Sequence, residues 1–359
     1  MRAKLTNTHK EQMVFIDDDA IFPSTRFQGS KLKISDWIWD SIKSVDFNTV
    51  LDAFGGTGCV SHMLKARGKE VTYNDILKFN WLIGTALIEN STVRLSDGDV
   101  EFLLSEEQGV ENTSFVHDTF KDIYFTDEEN RWIDKVVTNI NLLDDFYKEA
   151  LAYFALFQAC IIKRPFNLFH RKNLYLRFSD VKRNFGNKTT WDTPFDVHFR
   201  QFVVEGNQSV FSNGRRNKAL NLDVFDVQRR FDLVYIDTPY ISQKGVGVDY
   251  LEFYHFLEGL ANYREWPRMI DYSTKHRRLK RTHSVWCNKE EILLAFDRLF
   301  REFRDSILVV SYRSDGIPSI DEIIWVLRKY KSTVEETRRK NYKYVLSTNH
   351  SEEVLLIGK

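Results

Sequence analysis

Residues 49–75 read TVLDAFGGTGCVSHMLKARGKEVTYND. A short apolar run ends at Asp52, turns through Gly55, Gly56 and Gly58, and gives way to a helix-forming stretch closed by Gly68. A second apolar run then ends in another acid, Asp75. Two strands joined through a helix pair in parallel by a right-handed crossover, so this one unit commits the chain to an α/β sheet. The pattern continues. Residues 76–90 read as helix, SFVHD (114–118) as a third strand, FDLVYID (231–237) as a strand that resumes the sheet, and ILVVSY (307–312) as another.

Between these elements the pattern changes. Residues 127–163 predict one or two long amphipathic helices around Trp132, Ile133, Val136, Val137 and Ile140. Residues 164–225 are rich in Arg, Asn, Phe and Gly with weak periodicity, as in an inserted module. Residues 249–262 predict a helix, followed by a basic loop over 264–286. Asn288 with Glu291, and Ser319 with Glu322, have the capping-box spacing of helix starts. The chain closes on TVEETRRKN and EVLLIG, two strands placed to pair antiparallel. The expected division is a first part over 1–135, an insertion over 136–226 and a closing part over 227–359.

Charge is balanced in total, with 51 Lys+Arg against 51 Asp+Glu, but not in distribution. Residues 97–129 hold eleven acids against Lys121 alone. Residues 163–188 hold eight bases against Asp180, and residues 264–281 hold seven against Glu265 and Asp271. Two basic stretches are the footprint expected of a protein that neutralises phosphates, although solvated faces carry such runs as well. Cys59, Cys160 and Cys287 lie far apart without metal-type spacing, so free thiols and no metal site are expected. No run reaches the roughly 20 apolar residues of a membrane helix and no signal-peptide core opens the chain, so a cytoplasmic protein is expected.

Three short motifs carry chemistry. LDAFGGTGCVS (51–61) is a glycine-rich turn at the carboxyl end of a strand, where open α/β sheets bind ligands. Its spacing is neither a dinucleotide fingerprint nor a P-loop. Asp75, about twenty residues on, is an acid able to accept hydrogen bonds from both hydroxyls of a ribose. PSTRFQGSK (23–31) sets Gly29 and Ser30 between Phe27 and Lys31. FDLVYIDTPY (231–240) ends a buried strand in a carboxylate, a stiff turn and an aromatic ring. Thr238 precedes a proline and is pushed toward extended backbone. Its carbonyl beside the Asp237 carboxylate makes two acceptors for an exocyclic amine, and Tyr240 can stack on the ring that bears the amine.

In combination and in order, these motifs resemble the N6-adenine DNA methyltransferases of the alpha arrangement. Asp237-Thr238-Pro239-Tyr240 is similar to their Asp-Pro-Pro-Tyr catalytic motif, with Thr238 in place of the first proline. Phe54-Gly55-Gly56-Thr57-Gly58 looks like their cofactor turn, and Phe27 to Lys31 like their N-terminal cofactor motif. VVSYRSDG (309–316) looks like their Ser-Tyr-Asn strand, with Arg313 in place of Asn. The resemblance implies an α/β fold, a Rossmann-like methyltransferase sheet with a target-recognition insertion at 136–226. It implies transfer of a methyl group from S-adenosyl-L-methionine to N6 of a flipped-out adenine in double-stranded DNA, without a metal. Asp237, Thr238, Pro239 and Tyr240 would be catalytic. Phe27, Gly29, Lys31, Asp52, Phe54, Gly55, Gly56, Gly58, Asp75, Asp118 and Asp237 would hold the cofactor. The candidate DNA contacts are Arg164, Arg171, Lys172, Arg183, Arg215 and Arg216 in the insertion, and Lys275, Arg277, Arg278, Lys280 and Arg281 in the basic loop. A cognate restriction endonuclease as partner and a nucleoid-associated location go with this reading. Methylation of cytosine N4 or of adenine in RNA, and a cofactor-binding DNA module without catalysis, are the alternatives.

Overall fold

The computed structural model describes residues 21–106, 114–179, 188–228, 230–243, 245, 247–339 and 351–359. Its strands are β1 (Thr49–Asp52), β2 (Glu70–Asn74), β3 (Lys218–Leu220), β4 (Leu233–Ile236), β5 (Ile241–Ser242), β6 (Ile307–Arg313), β7 (Gly316–Ile317), β8 (Val334–Arg339) and β9 (Glu353–Gly358). Seven form one sheet in the order β3-β2-β1-β4-β6-β9-β8. The first five are parallel, and β9 pairs antiparallel with both β6 and β8, as the closing strands predict. The remaining two, β5 and β7, form a separate antiparallel ribbon.

Alternation along the strands divides the core. Val50, Tyr73, Leu233, Tyr235 and Val309 face one layer, while Leu51, Val234, Ile236, Leu308 and Val310 face the other. Each buried aliphatic side chain of this kind contributes roughly 1.5–3 kcal/mol, and a one-residue slip would exchange the faces. The first layer is thick. It includes the helices Lys78–Gly84, Asp127–Ile140, Phe146–Ile162, Phe195–Ser209 and Tyr250–Ala261. The second is thin, built on Ile292–Glu302 and Ile320–Leu327.

Several expectations change here. SFVHD is not a strand. Residues Phe115–Thr119 form a helical turn whose first amides, Val116 and His117, donate to Asp134 at 2.8 and 2.9 Å. The third strand of the sheet is Lys218–Leu220, paired with β2. It lies within the stretch assigned to the insertion, so the boundary expected at 226 falls after the chain has already rejoined the sheet. Nor is that stretch separate in its core. The Phe146–Ile162 helix packs on Lys78–Gly84 and on Phe195–Ser209, within the same apolar cluster as the sheet. The Ser319–Glu322 capping box is present, whereas the helix near Asn288 begins only at Ile292. No described helix is long and apolar enough to cross a membrane.

Candidate active site

The strand order reverses between β1 and β4. Chain leaving β1 runs outward to β2 and β3, and chain leaving β4 runs the other way to β6. The crevice at such a switch point, beyond the carboxyl ends of the strands, is where doubly wound sheets hold ligands. A cavity of about 910 Å³ opens there. Phe27, Gly29, Lys31, Asp52, Phe54, Gly55, Gly56, Asp75 and Asp237 all line it, as do Pro239 and Tyr240. Segments more than two hundred residues apart in sequence are thus joined at one wall.

The glycine-rich turn is shaped by Tyr73. Its ring lies against Gly55 so closely that a Cβ there would overlap it, and its hydroxyl donates to the Gly56 carbonyl at 2.7 Å. Asp75 accepts from the Gly56 amide at 2.9 Å, the Leu77 amide at 2.8 Å and Asn80 Nδ2 at 3.1 Å. Burial pushes its carboxyl up to about 6 against the pull of those bonds. Asp52 accepts from Ser61 Oγ at 2.7 Å, while its other oxygen is buried without a partner. Burial pushes it up to about 7, opposed by the Ser61 bond and reinforced by Asp237 and Asp75.

At the end of β4, Asp237 receives Lys31 Nζ at 3.1 Å. The same ammonium lies 3.0 Å from Glu353, a fully buried carboxylate at the start of β9 that also accepts from Ser311 Oγ at 2.5 Å. Burial pushes Asp237 up to about 6, with Lys31 pulling it down and Glu353 repelling it. The N-terminal motif is fixed by rings. Phe27 stacks on Tyr254 at 4.0 Å, and the Gln28 amide donates to the Tyr254 hydroxyl at 2.8 Å. Gly29 has φ +84°, in the left-handed region, and a Cβ there would meet the Tyr250 hydroxyl. Thr238 is buried, its hydroxyl has no partner, and, unlike Asp237, Pro239 and Tyr240, it is not among the residues that line the cavity.

Several candidates fall elsewhere. Gly58 takes φ +78° ahead of the Cys59–Ala66 helix and is not on the cavity wall. Asp118 is solvent-exposed, bonded to Ser114 and His117 on the 115–119 turn, because the segment is helical and not a strand of the sheet. The end of the true third strand instead brings Asp223 and Phe225 to the cavity, beside Trp286. The signal was available, since an acid after a short apolar run marks β1 and β2 as well. Arg164 cannot reach DNA. Its guanidinium is 1% exposed and donates to the carbonyls of Leu168, Tyr124 and Arg171 and to Asn173. It organises the turn that exposes Arg171 and Lys172. Arg215 and Arg216 are exposed just before β3, at the amino ends of the strands and across the sheet from the cavity. Arg183 lies outside the described residues.

The basic loop does reach the site. Lys280, Thr282, His283 and Ser284 line the cavity, and the Tyr124 hydroxyl donates to the His276 carbonyl at 2.8 Å to tie the loop down. Lys275, Lys280 and Arg281 are exposed. Arg277 is partly engaged by the Tyr272 carbonyl, and Arg278 by Asp271. The acidic stretch lies elsewhere, with Asp99 paired to Lys148 and Glu101 to Arg200.

Fold and site together define an α/β protein with a cavity at the switch point, between acidic strand ends and a basic loop. The chain belongs to the D12 class N6 adenine-specific DNA methyltransferase family, which matches residues 27–266. It is a site-specific DNA methyltransferase. It is 30% identical over 326 residues to the type II methyltransferase M2.HphI of Haemophilus parahaemolyticus, covering 88% of this chain and 91% of that one. It is 22% identical to the type II methyltransferase M.NlaIII of Neisseria lactamica, covering 88% and 91%. The modification methylase LlaI of Lactococcus lactis subsp. lactis is 25% identical over 346 residues, and this chain spans about half, 52%, of its length.

Proposed function

We propose that the chain transfers a methyl group from S-adenosylmethionine to N6 of an adenine flipped out of double-stranded DNA. The observation that carries the reading is the Lys31–Asp237 pair on the wall of the cavity that Tyr240 also lines. The residues fit the cofactor. Asp52, Asp75 and Asp237 place three carboxyl side chains on the cavity wall, a lining suited to a cationic ligand. Asp75 would take the ribose hydroxyls, with Phe54, Gly55 and Gly56 along the turn and Phe27, Gly29 and Lys31 at the opposite end. Asp223 and Phe225 would meet the adenine in the place assigned to Asp118.

Bound S-adenosylmethionine supplies a sulfonium methyl already activated as an electrophile. The protein's part is positioning and electrostatics. Flipping the base costs a few kcal/mol of stacking, which Tyr240 offsets by roughly 1–3 kcal/mol. Asp237, ionised above about pH 6, accepts a hydrogen bond from one N6 hydrogen, the Thr238 carbonyl accepts one from the other, and the proton that N6 sheds on taking the methyl passes to the Asp237 carboxylate. Both bonds turn the nitrogen lone pair out of conjugation. Lys31 keeps Asp237 ionised and oriented. Arg171, Lys172, Lys275, Lys280 and Arg281 hold phosphates. The names of the relatives support a place in a restriction–modification system; a cognate endonuclease as partner and a nucleoid-associated place in the cytoplasm go with that reading.

Sequencing of modified bases in DNA from cells expressing the protein tests this reading. N6-methyladenine at one recurring sequence is expected, and it should vanish in cells expressing Asp237→Ala. Methylated cytosine, or no modification, overturns the proposal.

A further inference from the structure

Arg313 ends β6 with its side chain only 7% exposed, and it does not reach the cavity that Tyr240 lines. Its guanidinium carbon stands 4.6 Å over the centroid of the Tyr240 ring. Asp315 holds the guanidinium along one edge, accepting from Nε at 2.6 Å and Nη2 at 2.7 Å. That two-point fork fixes the plane as well as the position of the group.

Backbone pairing creates the approach. Tyr240 immediately precedes β5, and Asp315 immediately precedes β7. Pairing of Ile241 with Ile317 and of Ser242 with Gly316 zips the two segments together. The Tyr312 hydroxyl closes the second segment by donating to the Ile317 carbonyl at 2.7 Å. The Val248 amide donates to the Tyr240 carbonyl at 3.1 Å. Tyr240 is therefore held by its backbone on two sides and by a cation on one face of its ring. Burial holds its phenol above the ordinary value, and the guanidinium pulls the other way, both by its charge and by a hydrogen bond to the phenol oxygen.

We infer that Arg313, clamped by Asp315, is a positioning residue that braces one face of the Tyr240 ring and leaves the opposite face for the flipped base. The inference rests on the stacking role proposed for Tyr240. A guanidinium is planar, weakly hydrated and suited to lie on an aromatic face, which an ammonium does less well. The brace fixes the ring before the base arrives, so less side-chain freedom is lost on binding. The Asp315 charge cancels that of Arg313, so the pair adds ordering without drawing phosphate into the site.

The test is a double-mutant cycle of Arg313→Met and Tyr240→Leu. It uses an oligonucleotide carrying the recognition sequence read from modified-base sequencing. Arg313→Met should slow single-turnover methyl transfer by roughly three- to thirty-fold, the range of a desolvated cation–π contact, with DNA affinity little changed. With 2-aminopurine at the target position, emission on binding should rise above that with the wild type, since a looser ring quenches less. Arg313→Lys should recover only part of the rate. In the Tyr240→Leu background, Arg313→Met should cost nothing further, because it acts through that ring. Additive losses, or an Arg313→Met enzyme as fast as the wild type, overturn the brace while the stacking role of Tyr240 stands. A Tyr240→Leu enzyme as fast as the wild type overturns the stacking role and the brace with it. If circular dichroism finds Arg313→Met unfolded, Asp315→Asn takes its place in the cycle with the same outcomes.

Discussion

Lys31 serves two carboxylates, and removing either end of that arrangement should move the pH dependence in opposite directions. Ionised, Asp237 is the stronger acceptor for an amine and is free to take the proton that N6 sheds. With its carboxyl near 6, activity should fall as pH drops through that value. Lys31→Met deletes an ammonium 3.1 Å away. At an effective dielectric of about 20 that contact is worth about 5 kcal/mol. Sharing with Glu353 and the 22% exposure of the Asp237 side chain reduce this to roughly half. The acid limb should then rise by roughly two pH units, to about 8. At pH 7 the variant should turn over about tenfold more slowly than the wild type, and recover by pH 9. Glu353→Gln does the reverse. It removes a repelling charge and releases Lys31 to Asp237, so the limb should move below 6. Initial rates with saturating labelled S-adenosylmethionine from pH 5 to pH 9.5 read both shifts. A limb near 6 in both variants, or one displaced the same way in both, refutes the coupling.

Three further outcomes follow from the geometry. Replacing the exposed Lys275, Lys280 and Arg281 together by Gln should make the slope of log K against log salt shallower by up to about 3, since each phosphate contact contributes about 0.9. An unchanged slope would make the loop a solvated face only. Thr238→Val removes a buried hydroxyl without a partner, so the thermal midpoint should rise, with a gain of about 1 kcal/mol, and activity should be retained because the clamp uses the carbonyl. Loss of activity would assign the hydroxyl a role. Asp52 has its folded carboxyl raised to about 7 from an ordinary value of 3.8, so its contribution to stability is full at low pH and lost as pH rises through 7. Asp52→Asn should melt higher than the wild type at pH 8.5, and the difference should shrink by pH 5. Equal differences at both values would contradict the burial cost assigned to the charge.

The sheet was legible where strands are apolar, end in acid and are punctuated by glycine, as in β1, β2 and β4. It was not legible at β3, three residues long, with Lys218 exposed and only Ala219 buried. There the pairing with β2 decides the conformation, while local pattern favoured 114–118. Charge misled at Arg164, because a buried guanidinium satisfied by carbonyls looks in sequence like any basic surface residue. It was informative at Lys280, where the loop closes back on the cavity. Glu353 lies in a strand that reads only as core, and Ser311 in a motif, VVSYRSDG, that gives no sign of this contact. Their connection to Asp237 through Lys31 spans more than three hundred residues, and no local signal announces it. Phe27, Gly29, Lys31 and Asp75 were readable because short motifs carry their own backbone geometry.

The most direct measurement is nucleoside analysis of unmethylated DNA incubated with the purified protein and S-adenosylmethionine labelled in the methyl group. The label should appear in N6-methyl-2′-deoxyadenosine from the wild type and be absent with an Asp237→Ala variant shown by circular dichroism to be folded. Label in N4-methylcytosine, no label at all, or undiminished transfer by Asp237→Ala would contradict the account.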